Sequence, residues 1–175
     1  MARWILWCVL AVSGCQDGGG EVPVSDSGGE VPFSDGRLCT LRGCSPAAEL
    51  ALPYAGDEAD LDAGTGRVCI NQLCADATIA GVPRDGGGIG AHFASGDLLG
   101  MVMLWREAGA LSVRASVEQY QLALTAGDVY SLAYSAQDGR VLVEGRWAAH
   151  AYATSYPNGV ECGPMCFTGQ LEPLP

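Results

Sequence analysis

The chain has 175 residues, 49% of them apolar and 17% charged, and 20 acidic against 9 basic residues give a net charge of −11. That balance repels nucleic acid and anionic lipid surfaces, which call for a basic patch. All the bases are arginine, so mechanisms built on a lysine amine, such as the Walker P-loop and Schiff-base catalysis, are excluded.

Met1-Ala2-Arg3 is followed by an apolar run from Trp4 to Val12. The run is too short to span a bilayer but suits the hydrophobic region of a secretion signal. It ends in Val12-Ser13-Gly14-Cys15, which resembles a bacterial lipobox. The resemblance implies a lipoprotein signal peptide over residues 1–14, lipidation of Cys15, and a membrane held through that lipid in the bacterial cell envelope. Each methylene buried by the lipid would contribute about 0.8 kcal/mol of anchoring.

Residues 15–37 contain a nine-residue repeat: Gly19-Gly20-Glu21-Val22-Pro23-Val24-Ser25-Asp26 returns as Gly28-Gly29-Glu30-Val31-Pro32-Phe33-Ser34-Asp35. Rich in Gly, Pro and acid, this stretch has little to bury and reads as a disordered tether. The remaining residues, 38–175, suffice for one folded domain.

Six cysteines lie in that domain, as three close pairs: Cys39 and Cys44, Cys69 and Cys74, Cys162 and Cys166. An even count in an exported chain reads as a disulfide framework, for which six cysteines leave fifteen connectivities open. Close spacing favours the three local bonds 39–44, 69–74 and 162–166. The Cys-x2-Cys spacing of zinc sites is absent, and no cofactor is expected.

Residues 45–54 allow a short helix, stopped by Pro53, or a strand from Glu49 to Tyr54. Asp57, Glu58, Asp60 and Asp62 follow beside Gly64 and Gly66. Clustered carboxylates on a glycine-bearing loop are a weak calcium candidate, set against a solvated acidic loop. Val68 to Ile79 reads as two short strands around Asn71-Gln72, and Gly81 to Gly96 as a loop. Leu98 to Arg106, apolar on both faces, predicts a central strand. Leu111, Val113, Ala115 and Val117 then alternate with polar residues, and the phase flips at Glu118-Gln119, which predicts a bulge or corner.

Leu124-Thr125-Ala126-Gly127-Asp128-Val129-Tyr130 is similar to the tyrosine corner of fibronectin type III domains, with Ala126 in the place of a proline. The resemblance implies an immunoglobulin/fibronectin III-like two-sheet sandwich. Two alternating runs follow, 130–135 and 141–147, joined by Asp138-Gly139, whose glycine accepts the positive φ of a hairpin turn. The all-β core predicted around this hairpin is Leu124, Tyr130, Leu132, Tyr134, Val141, Val143 and Trp147, with Trp105, Val113 and Val117 from neighbouring strands. The stretches 68–74 and 156–166 resemble segments of bacterial lipoproteins that carry no assigned activity.

For catalysis the sequence offers little. His92 and His150 lack motif neighbours, and no nucleophile elbow or H-E-x-x-H occurs. The expected function is therefore a non-enzymatic binding or interaction module on a tether, with Tyr152, Tyr156 and the 162–166 loop as candidate contacts and a protein or glycan as partner. A structural envelope protein is the alternative, and a hydrolase with a non-sequential site is a further one.

Overall fold

The computed structural model describes residues 43–118, 123–162 and 164–175, and the backbone of 30–32 and 38–40. The signal peptide, Cys15, the first copy of the repeat and the phase flip at Gln119 lie outside the described residues. Within the second copy, β1 (Glu30–Pro32) pairs antiparallel with β2 (Leu38–Thr40) as a two-stranded ribbon. The tether expectation gave those three residues no strand.

The domain is all-β, built as two facing antiparallel sheets. One sheet runs β3 (Ala48–Tyr54), β8 (Ala110–Glu118), β7 (Leu98–Glu107) and β6 (Gly87–Ser95), in that order. The other runs β11 (Cys166–Leu174), β10 (Val141–Ser155), β9 (Val129–Ala136), β4 (Ala63–Ile70) and β5 (Leu73–Ala80). The only helix among the described residues is a 3-10 turn at Glu58–Leu61, between β3 and β4. Neither sheet follows the A-B-E-D or C-F-G order of an immunoglobulin constant domain. The Tyr130 hydroxyl does not bond the backbone of the corner before it; it meets the Tyr152 hydroxyl at 2.7 Å.

The central hairpin buries the face that alternation assigns: Tyr130, Leu132 and Tyr134 are fully buried. Across the interior they meet Leu50, Val102, Leu104, Val113 and Val117. Gly66 on β4 lets the sheets close, because a Cβ there would lie 2.5 Å from a Val102 methyl. Leu124 is half-buried and lies outside the core cluster, and two further core assignments are corrected by register. Val141 pairs with Ser135 and Val143 with Tyr134, so Leu142 is an inserted bulge residue and the side-chain phase shifts across it. Val141 therefore faces water, while Gly145 and Trp147 resume the inward face opposite Leu132 and Tyr130.

Trp105 is the second correction. β7 is central, as its two apolar faces require, but Val102 and Leu104 point inward and Trp105 outward. There the indole crosses Gly88 of β6, whose Cβ would sit 2.6 Å from Trp105 Cε3, and the Arg114 guanidinium lies 5.3 Å from its ring centre. This packing also explains why 81–96 is not one loop. Gly88 and Gly90 occupy the outer face of a strand whose other face carries Ile89, Ala91 and Phe93. The glycines hide the alternation because the neighbouring strand supplies the side chains for that surface.

Trp147 packs against the core from a partly buried position, whereas Arg146 points outward and is exposed. Trp147→Ala should cost about 3 kcal/mol, the low end for a large aromatic because part of the ring already meets water. Arg146→Ala should shift stability by less than about 0.5 kcal/mol. Paired urea titrations distinguish them, and equal losses would mean that the strand faces are misassigned.

Candidate functional site

The two ends of the sandwich differ in chemistry. At the far end, the 3-10 turn lies between the sheets and is tied to both. Glu58 receives a bidentate pair from Arg106 of β7 at 2.7 and 2.6 Å, and Asp60 pairs with Arg140 at 2.6 Å. The hydrogen bond from Arg106 holds the Glu58 carboxyl below its ordinary range. Asp57 caps the turn by accepting from Ala59 N–H at 3.0 Å. Asp57, Glu58 and Asp60 thus have separate structural tasks, and among the described residues no group of three or more His, Cys, Asp or Glu is placed to hold a metal ion. A groove of about 490 Å³ opens here, lined by Asp60, Asp62, Asp138 and Arg140.

At the near end the chain enters the domain. Ala47 accepts a backbone hydrogen bond from Gly169 of β11 at 2.7 Å, and Cys44 is disulfide-bonded to Cys166. This overturns the local pairs 39–44 and 162–166. The spacing argument weighed loop length alone, whereas the N-terminal segment runs beside the start of β11 and brings Cys44 within a 5.4 Å Cα separation of Cys166. Cys162 is disulfide-bonded as well. The expected bond Cys69–Cys74 is present, closing the β4–β5 hairpin.

A buried carboxylate organises the same end. Asp128 is 5% exposed and accepts from Thr125 N–H at 2.8 Å, Thr125 Oγ1 at 3.1 Å, Asn71 Nδ2 at 2.9 Å and Tyr152 Oη at 3.0 Å. Burial pushes its pKa up, but these donors outweigh burial and hold it below the ordinary value. With the Tyr152 proton given to Asp128, the Tyr130 hydroxyl donates to Tyr152 in turn. Burial, then Tyr130 and Asp128, push the Tyr152 hydroxyl far up, so it stays protonated. Asn71, at the positive-φ position of the β4–β5 turn, also accepts from Val129 N–H at 2.9 Å. The network locks hairpin, corner and β10 together, and its groups serve one another. Thr125-x-x-Asp128 was the available signal, since a carboxylate three residues on can reach a backbone N–H behind it.

Of the two candidate contact tyrosines, Tyr152 is half-buried with its hydroxyl held by Asp128 and Tyr130, while Tyr156 is more exposed. It opens the β10–β11 loop, where Tyr156 is 39% exposed, Val160 73% and Met165 47%. Tyr156 donates its hydroxyl to Met165 Sδ at 3.3 Å across the base of the loop. Leu73, 38% exposed, lies at the same end beside Asn71-Gln72. Cys162 and Cys166 fix the returning arm of the loop by disulfides. Sequence reasoning pointed to this loop by its cysteines and missed Val160, because a single valine in a turn carries no pattern.

His92 is exposed on the outer face of β6, and His150 is exposed on β10 with Gln170 Oε1 3.1 Å from its Nε2. Neither lines the far-end groove or a second one, of about 420 Å³, between Arg67, Glu144 and Arg146 on the outer face of the five-stranded sheet. Among the described residues no helix is long and apolar enough to cross a membrane. No family model, no curated protein and no solved structure matches the chain.

Proposed function

We propose that this chain is a lipid-anchored protein of a bacterial cell envelope, tethered through Cys15, and that residues 38–175 form a non-enzymatic binding module. The observation that carries the reading is the β10–β11 loop. It presents Tyr156, Val160 and Met165 to solvent on a frame braced by disulfides. Large apolar side chains gathered on one exposed loop mark a contact surface, and a rigid frame lowers the ordering cost of binding. Disulfides agree with an exported chain, since they persist where the surroundings are oxidising. From the fibronectin type III likeness the reading keeps only the presentation of loops at the end of a sandwich.

Two measurements test it. Mass spectrometry of the membrane-associated protein should give an N-terminus at Cys15 carrying acyl chains; an unmodified Cys15 would remove the anchor. A photoreactive residue replacing Val160 should cross-link to an envelope component in intact cells, and one replacing Val141, at the far end, should not. Equal labelling at the two positions would end the assignment of the contact surface.

A further inference from the structure

We infer that the near end of the sandwich rests in the headgroup region of a bilayer of zwitterionic or uncharged lipids, with Val160, Met165 and Tyr156 entering it. The inference rests on the lipid-anchored reading above and names the occupant of that same surface. Three observations carry it, and the first is polarity. Of the five exposed large hydrophobics among the described residues, Leu73, Tyr156, Val160 and Met165 lie at the near end and Val141 at the other. The second is charge. Residues 156–165 contain one charge, Glu161, and no arginine, and the other exposed acids of the near end, Asp97 and Glu118, stand on the four-stranded sheet rather than on this loop.

The third is attachment. The Cys44–Cys166 bond and the Ala47–Gly169 hydrogen bond place the arriving N-terminal chain at the foot of the β10–β11 loop. A domain anchored through its N-terminal segment thus has the β10–β11 loop beside the point where its anchor enters. Tyrosine suits the headgroup level because its ring is apolar and its hydroxyl wet. Valine and methionine at a loop tip can reach the acyl boundary without transferring a charge. A loop without arginine in a chain of charge −11 gains nothing from anionic headgroups, which selects the uncharged and zwitterionic ones.

The test uses the full chain purified from membranes and reconstituted in phosphatidylcholine vesicles, as two variants, Val160→Trp and Val141→Trp. Both replaced side chains are exposed, so neither change disturbs the core. Emission is compared between plain vesicles and vesicles whose acyl chains are brominated. The expected result is a loss of emission in brominated vesicles for Val160→Trp, beyond that of wild type and of Val141→Trp. An acylated chain that floats with the vesicles, yet shows equal emission for both variants, overturns this inference and leaves the anchor standing. A chain that carries no acyl group removes the anchor, and the same emission comparison with added vesicles then decides: selective quenching supports bilayer contact and its absence overturns it. If the tryptophan at position 160 is shielded from acrylamide in whole envelopes but not in vesicles, a protein occupies the surface and the bilayer assignment falls.

Discussion

Replacing Cys44 and Cys166 together by alanine should cost about 2–3 kcal/mol, and adding Cys162→Ala should then remove about 5 kcal/mol more. The inequality follows from nesting. The 44–166 bond spans a sequence separation of 122, and on the loop-entropy model a loop of that size stabilises by about 5 kcal/mol. Yet Cys162 is also bonded, and the cysteines outside the two described bonds, Cys8, Cys15 and Cys39, all precede Cys44. Whichever of them is its partner, that second bond closes much the same long loop. The first bond removed therefore releases only a short ring, and the second releases the whole chain. A total of about 7–8 kcal/mol is comparable with the entire stability of an ordinary domain, about 5–15 kcal/mol. By contrast, Cys69→Ala with Cys74→Ala opens a ring with a sequence separation of 5 and should cost about 2 kcal/mol. Denaturant titrations of the three variants measure these steps, and additive losses would refute the nesting. Non-reducing peptide maps should find Cys162 joined to Cys39, the remaining cysteine of residues 38–175.

Asp128→Asn should destabilise the domain by about 3 kcal/mol at pH 7, because an amide nitrogen confronts donors that had a charged acceptor. The difference should depend on pH. Asp128 has a folded pKa below its ordinary value, so its contribution is fully present above the unfolded pKa, about 3.9. It is lost as pH falls from there through the lower folded pKa. Unfolding free energies of wild type and variant should therefore converge below about pH 4. A gap of the same size at pH 3 and pH 7 would show that packing, not the carboxylate charge, sets the cost. Tyr152→Phe, which removes one donor and leaves Asp128 three, should lose less than Asp128→Asn.

The central hairpin and the two-sheet arrangement were legible because alternation reports directly on which face is buried. Tyr130, Leu132 and Tyr134 behave as their spacing requires, and Asn71, Gly109 and Gly139 take the positive φ that their turns need. What escaped the sequence depends on partners distant along the chain. Whether Val102 or Trp105 faces inward is set by pairing with β8, where Trp105 meets Ser112 and Leu104 meets Val113. The bulge at Leu142 leaves no residue signature, so Val141 looked as well placed as Val143. Of the candidate site, the loop was visible through Cys162 and Cys166. The Cys44–Cys166 bond was not, because nothing in spacing reveals that Ala47 lies against Gly169.

The same bond has a consequence for how the chain is made. A polypeptide delivered N-terminus first presents Cys39, Cys44, Cys69 and Cys74 long before Cys162 and Cys166 appear. For the first part of that interval, before residues 110–136 arrive, β3 lacks β8 and β4 lacks β9, so neither sheet can hold the early cysteines apart. An oxidase meeting thiols in order of arrival would join Cys39 to Cys44, the close neighbours that native pairing keeps separate. Maturation then calls for a thiolate to reopen that bond. Cells deprived of disulfide isomerase should accumulate this protein with a 39–44 bond, whereas loss of isomerase should leave the 69–74 bond intact.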